Sequence, residues 1–157
     1  MSKKNPELDL TITRVIKAPR AAVWRAWTDP ARFEKWWVPE PALCKVVAMD
    51  LRPGGAFTTQ ISEDGAAFGA HINGCFLAVD EGERIVFTNA LVDGWRPAAQ
   101  PFMTAIITLA DHPEGTEYMS YVMHKDRADR DMHAEMGFYD GWGTVMGQLA
   151  KLVEASQ

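Results

Sequence analysis

Between Asp126 and Ala155, large apolar side chains recur every third or fourth residue: Met132, Met136, Tyr139, Trp142, Met146, Leu149 and Val153. That spacing lays a single apolar stripe along one side of a long helix. A helix of about 28 residues runs about 42 Å at 1.5 Å per residue, enough to cross a small domain from end to end. It cannot hide such a stripe alone, so the rest of the chain must supply the surface that covers it. Asp126 or Asp129 can cap its start, where acidic groups meet the positive end of the helix, and Lys151 suits the opposite end. Gly137, Gly141, Gly143 and Gly147 interrupt it, each at a cost of about 0.8–1 kcal/mol relative to alanine. Close approach to a sheet is the expected reason at Gly143 and Gly147. Gly137 and Gly141 leave a bend, or room beside the helix for a bound molecule, as further readings.

The covering surface is a sheet. Leu8 to Lys17 alternates apolar and polar residues and reads as a first strand. Ala18-Pro19 ends it and opens a short helix to Trp27. Asp29 can cap a second short helix, with Pro30 at its first position, and Pro39 and Pro41 forbid continuation beyond Trp37. Strands follow over Lys45–Arg52, Ala56–Ser62, Ala67–Val79, Arg84–Leu91, Phe102–Ala110 and Thr116–His124, separated by turns such as Pro53-Gly54-Gly55 and Glu63-Asp64-Gly65. Gly69 and Gly74 suggest a bend or bulge in the third of these. Only the stretch from Val92 to Pro101, with Trp95, is a longer loop. Short links between strands predict antiparallel pairing of neighbours. The result is an α+β chain: one strand, two short helices, six strands and a long C-terminal helix, with about seven strands in one curved antiparallel sheet.

At 157 residues the expectation is one domain with an ordered core over about residues 8–155. The net charge of −5 argues against a nucleic-acid backbone or an anionic membrane as partner, since both need a positive face. No stretch approaches the roughly 18 apolar residues of a membrane span. Cys44 and Cys75 form no C-x-x-C motif and are expected as buried thiols. A cytoplasmic chain, monomeric or homodimeric, is the expectation. His124, Asp126, Asp129, Asp131, His133 and Glu135 lack metal-site spacing and read as a solvated helix start. No metal or other cofactor is expected. No G-x-S-x-G or phosphate-loop motif occurs.

Several segments resemble a known family. Ala18-Pro19, then Val23-Trp24-Arg25-Ala26-Trp27-Thr28-Asp29-Pro30 and Trp36-Trp37, resemble the opening of the activator of heat-shock-protein-90 ATPase family in its stand-alone bacterial form. Arg52-Pro53-Gly54-Gly55-Ala56-Phe57, Gly74 with Phe76, and Glu83-Arg84-Ile85-Val86-Phe87-Thr88 resemble its next signatures. Gly115-Thr116 and Met136-Gly137-Phe138-Tyr139-Asp140-Gly141-Trp142-Gly143 complete the pattern. The resemblance places the chain in the START-like, or SRPBCC, superfamily. It implies a helix-grip: a sheet curled around the C-terminal helix, with a cavity between them.

Such a cavity suits a small apolar or aromatic ligand, a small hydrophobic molecule, held by a few polar groups. Its expected wall is Met132, Met136, Tyr139 and Trp142 from the helix, and Phe57, His71, Trp95, Tyr121 and Met123 from strands and loops, with Trp37 near the mouth. Two other readings follow from the superfamily. One is an enzyme of the cyclase or hydratase type using His71 or Tyr121, with Glu135 a further titratable candidate. The other is a chaperone-linked interaction domain, which needs an exposed apolar patch around Trp36, Trp37 and Trp95.

Overall fold

The computed structural model describes residues 5–155. In chain order the elements are β1 (Asp9–Ile16), α1 (Arg20–Thr28), α2 (Pro30–Phe33), β2 (Leu43–Met49), β3 (Ala56–Ser62), β4 (Gly69–Asp80), β5 (Arg84–Thr88), β6 (Leu91–Val92), β7 (Arg96–Pro97), β8 (Met103–His112), β9 (Gly115–His124), α3 (Arg127–Glu135) and α4 (Phe138–Glu154). Seven strands form one antiparallel sheet in the order β1-β9-β8-β5-β4-β3-β2, and the two-residue strands β6 and β7 make a small separate ribbon. This is the expected helix-grip, with α4 against β1 and α1. Asp29 caps α2 as its residue type suggested, its carboxylate accepting from Ala31 N–H at 3.1 Å.

Two devices shape β4 and its neighbours. The pairing of β3 with β4 runs Thr59 opposite Ile72 and then Gln60 opposite Ala70, so His71 is the extra residue of a bulge. A bulge re-aims the side chain it carries. Gly74 sits where a Cβ would come within 2.1 Å of Thr88 O, so only glycine lets the neighbouring strand approach.

The inner face of the sheet meets a cluster of rings. Trp27, Phe33, Trp36, Trp37, Phe57, Phe76 and Phe87 are all buried. Their centroids lie as close as 4.6 Å for Phe33 and Trp37 and 4.8 Å for Phe57 and Phe76. The polar ends of this cluster are partly satisfied: Trp27 Nε1 donates to Tyr118 Oη at 2.9 Å, and Trp36 Nε1 donates to Ala26 O at 2.9 Å. Buried Trp and Tyr need such partners. Cys44 and Cys75 are buried and free. Among the described residues, no helix is long and apolar enough to cross a membrane.

The single long helix does not form. It breaks into α3 and α4 at Gly137, whose φ of 95° is in the left-handed region that glycine tolerates. The break changes the phase of the apolar stripe. Its second half is buried as expected, through Met146, Leu149 and Val153. Its first half is not: Met132 is 45% exposed, Met136 71% and Tyr139 52%. A periodicity counted through the break assigns Met132 and Met136 to the wrong side, whereas Tyr139 stands in the first turn of α4 and is half exposed although in phase with Met146. The remaining helix glycines divide as well. A Cβ on Gly143 would touch Ile12 Cδ1 at 3.4 Å, whereas one on Gly141 would meet nothing within 4 Å.

Candidate ligand-binding site

A cavity of about 310 Å³ lies between α4 and the sheet. Its walls come from six places: Trp37 and Pro39 after α2, His71 and Ile72 on β4, Asn89 after β5, Phe102 and Met103 at the start of β8, His133 on α3, and Gly141, Trp142 and Val145 on α4. Each is held by local chemistry. The 36–40 segment is tied to α4 by Gln148, whose Nε2 donates to Trp36 O at 3.1 Å and Val38 O at 2.8 Å, while its Oε1 accepts from Glu40 N–H at 2.8 Å. The bulge turns His71 out of the strand alternation. Gly141 contributes space in place of a side chain.

Most of the lining is aromatic or aliphatic, and three residues bring polar groups. Asn89 Oδ1 accepts from Phe102 N–H at 3.0 Å and Met103 N–H at 2.9 Å. The amide is thereby oriented, and its Nδ2 makes no hydrogen bond to the described residues. His71 Nδ1 pairs with Thr59 Oγ1 at 3.0 Å, which also accepts from Ile72 N–H at 3.2 Å, so Nε2 is the free nitrogen of that ring. Burial of the ring moves the His71 pKa down from 6.5, although the residue as a whole is solvent-exposed. Trp37 Nε1 is buried and has no partner among the described residues.

The third polar residue, His133, belongs to a relay. His124 Nδ1 lies 2.7 Å from Leu8 O, and His124 Nε2 lies 2.9 Å from His133 Nδ1. A carbonyl oxygen only accepts, so His124 Nδ1 carries its proton, and in the neutral imidazole tautomer that this fixes, His124 Nε2 is the acceptor. His133 Nδ1–H must then donate, which leaves His133 Nε2 as a bare lone pair on a side chain that lines the cavity. Burial, with the neighbouring His124 second, pushes the His133 pKa down to about 4, so the imidazole is neutral at pH 7. Phe102, Phe138 and Trp142 pack around the ring at centroid distances of 5.0, 5.1 and 6.2 Å.

Of the ten residues nominated from the sequence, the cavity brings together Trp37, His71 and Trp142. The other seven lie elsewhere. Phe57 is fully buried within the ring cluster beneath. Trp95, with φ 68°, lies over the Pro53-Gly54 turn, where a Cβ on Gly54 would be 2.6 Å from its indole. Tyr121 and Met123 project from the face of β9 opposite to Tyr118 and Val122, because strand side chains alternate. The Tyr121 hydroxyl bonds to the Asp9 carboxylate there, and burial followed by that contact pushes its pKa up to about 12. Met132 and Met136 are displaced by the helix break, and Tyr139, in the first turn of α4, is half exposed. Trp36 and Trp37 are buried, so the apolar patch expected around them and Trp95 does not form. Sequence reasoning missed Asn89, Phe102, Met103 and His133. For His133 a weak signal existed: a histidine just past a capped helix start, nine residues after another histidine, on a helix that must fold back over the strand it follows.

The family model described as activator of Hsp90 ATPase homolog 1-like protein matches residues 17–154. The crystal structure of a protein from Nitrosomonas europaea is 40% identical, covers 98% of each chain and superposes with a TM-score of 0.88. A protein from Chromobacterium violaceum is 30% identical over 93% of this chain and 97% of that one, with a TM-score of 0.72. One from Mycobacterium smegmatis is 28% identical over 93% and 90%, with a TM-score of 0.75. No protein of curated function matches this chain.

Proposed function

This chain belongs to the family of activator of Hsp90 ATPase homolog 1-like proteins, and on that premise we propose that it binds a small, largely apolar or aromatic molecule between α4 and the sheet. The observation that carries this reading is the cavity of about 310 Å³ walled by Trp37, Phe102 and Trp142, with His71, Asn89, His133 and the unpartnered indole N–H of Trp37 as the polar groups of its lining. An apolar space with a few oriented polar groups is the usual form of a small-molecule site, and this one lies at the small end of the range. The space can admit one or two fused rings. Gly141 supports the same reading, because a helix interior glycine with nothing beside it gives up stability and gains room. Buried free Cys44 and Cys75 suit a reducing cytoplasm as its setting.

The catalytic alternative loses one of its two groups, since Tyr121 lies on the opposite face of the sheet. The chaperone-linked alternative loses its surface, since Trp36 and Trp37 are covered. A thermal-shift panel of mono- and bicyclic apolar compounds tests the ligand reading. A ligand at 100 times its Kd adds about 2.7 kcal/mol to the folded state, which is expected to raise the midpoint by several degrees and to change the emission of the wall tryptophans. A panel that moves neither the midpoint nor the emission overturns the proposal.

A further inference from the structure

We infer that the molecule taken by the cavity is a neutral hydroxylated aromatic whose O–H donates to His133 Nε2; this rests on the ligand-binding reading and narrows it to one chemical class. The hydrogen bonding around His133 is unbalanced. His133 is 9% exposed, its Nδ1–H is committed to His124, and the chain ends at a carbonyl that can only accept. The relay therefore has one direction, and it presents an acceptor with no protein donor to a largely apolar wall. His133 Nε2 is not among the buried atoms that lack a partner, so water can reach it, and an apolar ligand that displaces that water leaves the lone pair unmatched. A ligand that brings a donor replaces the lost bond, whereas one that brings only carbon does not.

The rest of the wall narrows the class. None of the lining residues is Asp, Glu, Lys or Arg. A carboxylate or a phenolate would enter with no cation to meet it, and would face a lone pair at His133. An ammonium would likewise find no anion. The ring is flat by the same reasoning from shape: Phe102, Trp142 and Trp37 offer aromatic surfaces around the site. Asn89 Nδ2–H is a free donor on the same lining and suits the oxygen of a hydroxyl that is itself donating to His133.

The experiment compares four probes on the unmodified full chain by isothermal titration: 2-naphthol, naphthalene, 2-methoxynaphthalene and 2-naphthoate. The expected order has 2-naphthol about tenfold or more tighter than 2-methoxynaphthalene, which keeps the oxygen but has no proton to give. Naphthoate is expected to be the weakest. In His133→Phe, which keeps an aromatic ring and removes the acceptor, the advantage of 2-naphthol is expected to vanish while naphthalene still binds. The comparison of phenol and ether on the unmodified chain stands even if that variant does not fold. Equal affinity for 2-naphthol, its methyl ether and naphthalene overturns the inference and leaves the apolar cavity standing. Failure of all four to bind removes the cavity reading and this inference with it.

Discussion

His133 shows how one side chain links stability to pH. Its ordinary pKa of 6.5 falls to about 4 in the folded chain, first through burial and then through His124. Between those values the unfolded chain binds the proton and the folded chain does not. The contribution of this group to stability is therefore full above about pH 6.5 and is lost as pH falls towards 4, by about 3 kcal/mol, at 1.36 kcal/mol per unit. Urea denaturation from pH 7.5 to pH 4.5 measures this, and His133→Phe is expected to flatten the decline over that interval. Phe57 makes the contrasting case. It is stacked on Phe76 and packed against Phe87 and Trp37, so Phe57→Ala is expected to cost about 3–5 kcal/mol, read from the denaturation midpoint. At this scale the sequence was legible for composition and poorly legible for direction. That rings fill the interior followed from Trp27, Phe33 and Trp36. Which rings face the cavity did not follow, because it turns on strand phase. Tyr121 and Met123 were counted on the inner face when the pairing of β9 puts Tyr118 and Val122 there.

Elements were legible where turn and cap chemistry is local. Asp29-Pro30 opened α2, Gly54-Gly55 turned the chain before β3, and the spacing of strands predicted the antiparallel order. Two features were not local in this sense. The bulge at His71 depends on how β4 meets β3, which no residue of β4 states alone. The break between α3 and α4 was one of several readings open for Gly137, since a glycine inside a helical pattern marks a bend, a close contact or a free space equally well. The structure separates these uses and predicts opposite substitution effects. Gly137→Ala puts a Cβ on a residue at φ 95° and is expected to destabilise by about 1–2 kcal/mol. Gly141→Ala adds a methyl group into open space on a helix, and is expected to stabilise by about 0.5–1 kcal/mol while weakening ligand binding, because that space belongs to the cavity. Denaturation midpoints and ligand affinity, measured on both variants, check the pair of outcomes.

Across the whole molecule, the grip divides the interior in two. One part is the dense ring cluster around Trp27 of α1, bonded to Tyr118 on the inner face of β9. The other is the space beside α4, bordered by His133 on the shorter α3. Packing differs between them, and local stability should follow it. Amide exchange is expected to be slowest in β8, β9 and the second half of α4, and faster in α3, whose Met132 is largely exposed. Bound ligand should slow exchange in α3 more than in β8.

The three hydrogen bonds of Gln148 carry a consequence for timing. They fasten the segment bearing Trp37 and Pro39 to the helix on the other side of the opening, so that one amide acts as the latch of a doorway. Gln148→Ala would leave every surface that a guest touches in place, yet free the doorpost to swing. Residence time would shorten, and entry would quicken with it, so that the ratio of the two rates shifts far less than either.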